Sequence, residues 1–246
     1  WICSAAWHDV GLFATTTSDG KVTAWDASRL EEAVSWRVPC EASAASVGGG
    51  HCRVAVACRD GSVRLCDPLS TRVSPLEIGS NSSAATAVSR ARHCIFSLCA
   101  GRHDGSARIY DVRSTSRPVL TLDKHGDTTR VGRAHERDIV GVHFAARFAI
   151  TACRDGSLGL WDAFSGIRIP THLPKFPSLS MLSMASPNPL VPSDACVFIP
   201  VEGAVRVVDL NTGKHAAATP SIDGRVRACS LRPSKAQILV VGDTGT

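Results

Sequence analysis

Asp155-Gly156-Ser157-Leu158-Gly159-Leu160-Trp161-Asp162 is the clearest copy of an octet that recurs along the chain. Earlier copies read Asp19-Gly20-Lys21-Val22-Thr23-Ala24-Trp25-Asp26, Asp60-Gly61-Ser62-Val63-Arg64-Leu65-Cys66-Asp67 and Asp104-Gly105-Ser106-Ala107-Arg108-Ile109-Tyr110-Asp111. A weaker one follows as Glu202-Gly203-Ala204-Val205-Arg206-Val207-Val208-Asp209, and a sixth starts at Thr244-Gly245 and is cut off. Between Gly20, Gly61, Gly105, Gly156, Gly203 and Gly245 the steps are 41, 44, 51, 47 and 42 residues. A unit of four short strands needs roughly 40 to 45. The two long steps are therefore expected to carry insertions: an extended connection over 123–137, and the proline-rich Ser186-Pro187-Asn188-Pro189-Leu190-Val191-Pro192.

Each octet has a local physical reading. Asp-Gly supplies a tight turn with a positive-φ position, and the apolar residues after it form a strand. The closing Asp opens another turn, and the small residues Ser28, Ser70, Ser114, Ser165-Gly166 and Thr212-Gly213 lead onward. Beyond them come candidate outer strands such as Val34-Ser35-Trp36-Arg37-Val38 and Pro118-Val119-Leu120-Thr121-Leu122. Two more strand-like runs precede each turn, for example Ile139-Val140-Gly141-Val142-His143-Phe144 and Phe148-Ala149-Ile150-Thr151-Ala152. Four strands per unit follow. A lone four-stranded sheet cannot cover both its faces, so the units must pack face to face, and closure around an axis is the stable solution. The expected fold is all-β and a single domain over 1–246, with third strands at 19–26, 60–67, 104–111, 155–162 and 202–209 and a partial repeat over 225–246.

On these residues the chain resembles the WD-repeat β-propeller family over essentially its full length. The resemblance implies four-stranded blades, five complete and a partial sixth, in a ring that these residues alone leave incomplete. An intact protein of six or seven blades is implied. It also implies a structural hydrogen-bonded tetrad in the fourth repeat: His135 before the first strand, Thr151 on the second, Asp155 in the turn and Trp161 on the third. The first repeat keeps Thr15, Asp19 and Trp25, whereas Cys66, Tyr110 and Val208 replace Trp in the second, third and fifth. Those units are expected to rely on apolar packing.

With 246 residues and 44% hydrophobic content, a sizeable core can be buried. The longest apolar run, near 195–201, is far short of the roughly 20 residues that span a bilayer. No signal-like segment opens the sequence at Trp1-Ile2-Cys3-Ser4, which is expected to lie inside a longer polypeptide. The ten cysteines sit singly in apolar runs such as Val54-Ala55-Val56-Ala57-Cys58, as buried free thiols do, and no C-x-x-C pair occurs. His51-Cys52 and His93-Cys94 are adjacent residues that point to opposite faces of a strand. No metal and no cofactor is expected, and the compartment reads as reducing and intracellular, cytoplasm or nucleus.

A His, a hydroxyl residue and an Asp in one repeat have the residue types of a catalytic triad. In the family resembled, that cluster ties a loop to the strands beneath it, so no catalytic residue is assigned. Gly48-Gly49-Gly50 precedes a strand and not a helix, which makes it a turn and not a phosphate loop. Two features point outward. The first is Tyr110-Asp111-Val112-Arg113, which resembles the W-D-x-R box by which some WD-repeat proteins dock on the adaptor of cullin-RING ubiquitin ligases; the alternative is an ordinary exposed arginine in a turn. The second is the basic balance, 27 Lys plus Arg against 22 Asp plus Glu. Arg59, Arg102, His103 and Arg154 lie just before successive turn Asp residues, and Arg130 and Arg133 lie in the long connection before His135, so all six are expected at one end of the ring. Each could equally solvate a turn or pair with a nearby acid. The expected function is a non-enzymatic scaffold, a subunit of a larger complex that binds proteins with acidic or phosphorylated segments. An RNA- or DNA-associated propeller and a ubiquitin-ligase substrate receptor are the alternatives.

Overall fold

A computed structural model describes residues 2–8, 11–48, 53–68, 73–77, 83–90, 96–114, 117–122, 134–145, 148–170, 175, 196–201, 203–209, 212, 214–218, 226–232 and 237–242. Among these the chain is all-β, arranged as small antiparallel sheets in sequence order. The first holds β1 (Ile2–His8), β2 (Leu12–Thr17), β3 (Lys21–Asp26) and β4 (Glu31–Arg37). The second holds β5 (Ala42–Gly48), β6 (Arg53–Cys58), β7 (Val63–Cys66) and β8 (Val73–Glu77). The third holds β9 (Ala85–Arg90), β10 (Ser97–Arg102), β11 (Ala107–Asp111) and β12 (Leu120–Leu122).

The fourth sheet contains β13 (Ile139–Ala145), β14 (Phe148–Cys153) and β15 (Leu158–Asp162). Among the described residues the expected outer strand is represented there by the bridge of Trp161 to Arg168, with Ile169 N–H donating to Leu160 O at 2.8 Å. The fifth contains β16 (Cys196–Val201), β17 (Ala204–Asp209) and β18 (His215–Ala218). Its expected first strand, like the inserted segments 123–133 and 186–192, lies outside the described residues. A last pair joins β19 (Val226–Arg232) to β20 (Gln237–Gly242). No closed barrel or ring of sheets is seen among the described residues, and no helix there is long and apolar enough to cross a membrane.

The octets form β3, β7, β11, β15 and β17, each launched by its glycine. Gly20, Gly61, Gly105 and Gly156 all take φ between 81° and 87°. At such angles a side chain is strained, and at Gly20 and Gly105 there is no room for one either. A Cβ on Gly20 would lie 2.6 Å from the carbonyls of Val38 and Cys40 in the segment entering the second sheet. One on Gly105 would collide with the carbonyl of His135 in the segment entering the fourth. Val38 N–H donates to Gly20 O at 2.9 Å and His135 N–H to Gly105 O at 3.0 Å. The same turn that starts a third strand thus anchors the chain as it enters a later sheet.

Burial runs along the strands as face-to-face packing requires. In β6, β10 and β14 every residue after the first is buried, whereas in β4 only Trp36 is. Continuous burial means that both faces of the sheet are covered. Ala14, Val22, Ala24 and Trp36 of the first sheet pack with Val54, Val56 and Cys66 of the second. Ala55 and Leu65 of the second pack with Leu98 and Tyr110 of the third. Cys99, Ile109 and Leu122 of the third meet Ile139, Phe144 and Trp161 of the fourth. Ile150 and Leu160 of the fourth meet Ile199 and Val208 of the fifth. Each large aliphatic group enclosed this way contributes about 1.5 to 3 kcal/mol.

First strands of neighbouring sheets run beside one another, β1 by β5, β5 by β9 and β9 by β13. Hydroxyls link them where no β-ladder does. Ser43 donates to Ala85 O and Thr86 to Ile139 O, while Ser46 Oγ accepts from Arg90 N–H at 3.1 Å and Ser89 Oγ from Phe144 N–H at 3.0 Å. Such rungs satisfy buried donors without requiring the backbones to approach to ladder distance.

Close sheet contact makes a glycine on β10 a sensitive position. A Cβ at Gly101 would collide with Ile139, whose own Cβ would be 2.9 Å away, and would lie 2.9 Å from Val142 Cγ2. Gly101→Ala should therefore destabilise the chain by about 1 to 3 kcal/mol in chemical denaturation. Adding Ile139→Ala should give a double variant less destabilised than the sum of the two single changes.

Candidate functional site

Polar side chains gather between the third and fourth sheets. His135, in the segment entering β13, is buried, and its ring meets Thr151 on β14 and Ser157 in the β14–β15 turn. Nε2 lies 2.7 Å from Thr151 Oγ1, and Nδ1 lies 3.1 Å from Ser157 Oγ. Trp161 Nε1–H donates to the same Thr151 oxygen at 2.8 Å. Ser157 donates its hydroxyl proton to Asp155 Oδ1 at 2.6 Å, and its amide donates there at 2.9 Å. With that proton committed, Nδ1–H donates to Ser157, while Nε2 stands against the Thr151 hydroxyl.

His135, Thr151, Asp155 and Trp161 are thus brought into one chain of bonds, with Ser157 interposed between His135 and Asp155. Thr151 and Trp161 are wholly buried. A hydroxyl so enclosed reaches no substrate; its bonds join the entering segment, the second strand, the third strand and the turn. Burial works against a charge on Asp155, but the Ser157 hydroxyl and amide outweigh it and hold the carboxyl well below the usual range. Lys175 Nζ stands 3.6 Å from its other oxygen.

Two members of this arrangement escape a reading based on the tetrad residues alone. One is Ser157. The other is Gly159, which pairs with Thr151 across the sheet. A Cβ there would lie 2.7 Å from Trp161 Nε1 and 2.9 Å from Thr151 Oγ1, so the indole can reach the hydroxyl only across a glycine. A signal for Ser157 was present in the sequence, because Asp60-Gly61-Ser62 and Asp104-Gly105-Ser106 repeat the triplet. Their serine amides and hydroxyls cap Asp60 and Asp104 in the same way, at 2.6 to 2.9 Å.

The register shows what the other sheets hold at these positions. In the first sheet Trp25 Nε1–H donates to Thr15 Oγ1 at 2.9 Å, and Thr17, not a serine, caps Asp19. In the second, Val38, Val56 and Cys66 stand at the His, Thr and Trp positions, all buried. In the third, Tyr110 is wholly buried, and its hydroxyl accepts from an Arg102 Nη at 3.3 Å. Val208 of the fifth sheet is buried without a polar side chain.

Arg102 accordingly departs from its expected place among the exposed cations. It is wholly buried, with its other Nη donating to Ser83 O at 2.7 Å. Position explains the difference: Arg102 ends β10 and aligns with Cys58 and Cys153, whereas His103, one residue later, aligns with Arg59 and Arg154. Those three side chains are exposed, and each faces an acid. Arg59 lies 3.3 Å from Glu41, while Arg154 at 3.1 Å and His103 at 3.4 Å share Asp138. Glu41 and Asp138 occupy equivalent positions, immediately before β5 and β13. Arg130 and Arg133 lie outside the described residues.

At the other end of the sheets, Arg113 folds back on Asp111. Its Nη2 lies 2.6 Å and its Nε 3.0 Å from the carboxylate, and its guanidinium stands 4.2 Å from the centre of the Phe96 ring. Tyr110 is enclosed, so of the three adaptor-docking candidates only Asp111 and Arg113 reach the surface. Exposed apolar side chains share the turns at this end: Leu30, Val119, Phe164 and Ile167 are 59% to 75% exposed.

No family model matches the chain. Among solved structures, the crystal structure of the computationally designed Ika8 protein resembles it with a TM-score of 0.71 at 16% identity, over 100% of this chain and 69% of that one. At that identity the likeness speaks to the fold alone.

Thr151→Val keeps the side-chain volume but leaves the buried indole N–H and imidazole nitrogen without their shared partner. It should cost about 1 to 3 kcal/mol by thermal or denaturant unfolding. Gly159→Ala should lower stability and quench or shift Trp161 fluorescence. Acid sensitivity follows from Asp60, Asp104 and Asp155, which are all held below their ordinary values because serine hydroxyls and amides outweigh burial. A depressed folded value means that their contribution is complete above about pH 4 and is lost as the pH falls through the folded value. Asp155→Asn should therefore flatten the acid limb of a stability profile while lowering the plateau at neutral pH; an unchanged acid limb would remove Asp155 from that linkage.

Proposed function

We propose that the sheets are consecutive blades of a WD-type β-propeller, and that the chain serves as a non-catalytic scaffold that binds other proteins inside a larger intracellular complex. The observation that carries this reading is the division between the two ends of the sheets. At the Asp-Gly end, the exposed Arg59 and Arg154 face Glu41 and Asp138, and the exposed His103 shares Asp138. At the opposite end, Leu30, Val119, Phe164 and Ile167 stand exposed beside the third strands of the first, third and fourth sheets. Paired cations weaken the attraction for a phosphate backbone, whereas exposed apolar groups in turns suit burial against a protein.

Other features agree. The constellation that resembles a catalytic triad is committed to bonds within the fold, and Cys58, Cys66, Cys99 and Cys153 are buried free thiols, as suits a reducing compartment in the cytoplasm or nucleus. The acidic or phosphorylated partner first expected at the Asp-Gly end would have to displace Glu41 and Asp138. Repeat units with distinct surface turns on a common core also suit several partners at once.

The test is affinity capture of partners across a salt series. Protein partners retained at high salt and lost in the Phe164→Ser, Ile167→Ser double variant are the expected result. Both side chains are exposed, so the variant should melt within about 0.5 kcal/mol of the parent. If instead capture of RNA or DNA falls steeply with salt and is abolished by Arg59→Ser with Arg154→Ser, the nucleic-acid reading replaces this one.

A further inference from the structure

Three ligand-bearing side chains converge at one end of the second sheet. Cys58 closes β6 opposite Ala42, the first residue of β5. Cys40 lies two residues before Ala42, and Asp60 lies two residues after Cys58 in the turn. The two sulfurs and a carboxylate oxygen all lie within 4.8 Å of one another. Cys58 is buried, Cys40 half-buried and Asp60 exposed, so the cluster has a dry wall and an open mouth. Arg64 stands at its rim, 3.6 Å from Asp60 and donating to Ser62 Oγ at 3.0 Å.

The repeat provides an internal comparison. Cys58 aligns with Arg102 of the third sheet and Cys153 of the fourth, and Cys40 aligns with Ser83 and Arg137. In the third sheet a guanidinium fills this corner and donates to Ser83 O; in the fourth a lone thiol donates to Arg137 O at 3.5 Å. The same turn and strand ends therefore form without a sulfur pair. Of these three sheets, the second alone places Cys, Cys and Asp at the converging positions.

We infer that Cys40, Cys58 and Asp60 bind a thiophilic divalent cation, of which Zn2+ and Cd2+ are the natural representatives. Zinc takes thiolate sulfur at about 2.3 Å and carboxylate oxygen at about 2.0 to 2.2 Å in tetrahedral sites, where water can fill a fourth position. Sulfurs around such an ion stand about 3.8 Å apart, so the cluster has to contract by no more than about 1 Å. Charge also balances: two thiolates and one carboxylate around a divalent ion leave one negative charge, and Arg64 supplies one positive. Binding releases the thiol protons to solvent, so affinity rises with pH.

The reduced, chelator-stripped full chain is titrated with Cd2+, monitoring the ultraviolet sulfur-to-metal charge-transfer band, and with Zn2+ by calorimetry. The inference expects a band that saturates at one Cd2+ per chain, disappears in Cys40→Ser and persists in Cys99→Ser, whose thiol is buried in another sheet interface. Loss of a supporting group around a metal site weakens binding about 10- to 100-fold, so loss of the direct ligand Cys40 should weaken Zn2+ binding at least about 10-fold. Asp60→Asn should weaken it in the same direction, and unchanged melting of metal-free Cys40→Ser confirms that the fold is retained. No band at saturating Cd2+, a band unchanged in Cys40→Ser, or equal loss in Cys99→Ser overturns the site.

Discussion

A small antiparallel sheet whose middle strands are apolar on both faces cannot stand alone in water. That constraint governs the molecule. β6, β10 and β14 are buried along nearly their whole length, so each requires a sheet on either side. Successive units supply them, and the four core clusters each draw residues from two consecutive sheets. Stability is consequently shared between neighbours, and a change such as a Cβ at Gly101 acts on two units at once.

Having brought faces together, the chain must satisfy the polar groups it encloses, and it does so differently in each unit. The fourth sheet uses a continuous chain of bonds from Trp161 through Thr151, His135 and Ser157 to Asp155. The second uses Val38, Val56 and Cys66 and has no such group to satisfy. The third places a phenol and a guanidinium together, Tyr110 with Arg102. All are solutions to one requirement, because an enclosed polar atom is tolerable only with a partner. The backbone bond from an entering segment to a preceding turn glycine is the same for Val38 with Gly20 and for His135 with Gly105, although the side chains differ.

With the interior so committed, chemistry is left to the two ends of the sheets. Ion pairs at equivalent positions, Arg59 with Glu41 and Arg154 with Asp138, knit each turn to the segment entering its own sheet; His103 extends the second pair across a sheet boundary. These exposed pairs stabilise weakly but hold the cations in place. At the opposite end the Arg113 guanidinium, clamped by Asp111, covers Phe96. The scaffold reading rests on this contrast between an end bearing ion pairs and an apolar one.

The sequence by itself determined what is local and periodic. The recurring octets, four opening on Asp-Gly and the fifth on Glu-Gly, place β3, β7, β11, β15 and β17 and their positive-φ turns, because turn chemistry and strand alternation act over a few residues. The association of His135, Thr151 and Trp161 was expected only from the resemblance to the WD-repeat family, because no local pattern joins positions so far apart in the chain. Tertiary structure decided the rest. A one-residue offset in register sends Arg102 into the core and His103 into solvent, although both precede the same Asp. Gly159 gains its importance only when Thr151 and the indole meet across it, and Cys40, Cys58 and Asp60 become neighbours only through the pairing of β5 with β6. Such placements depend on which face of a strand meets which neighbour, a long-range outcome of packing that no short stretch of residues encodes.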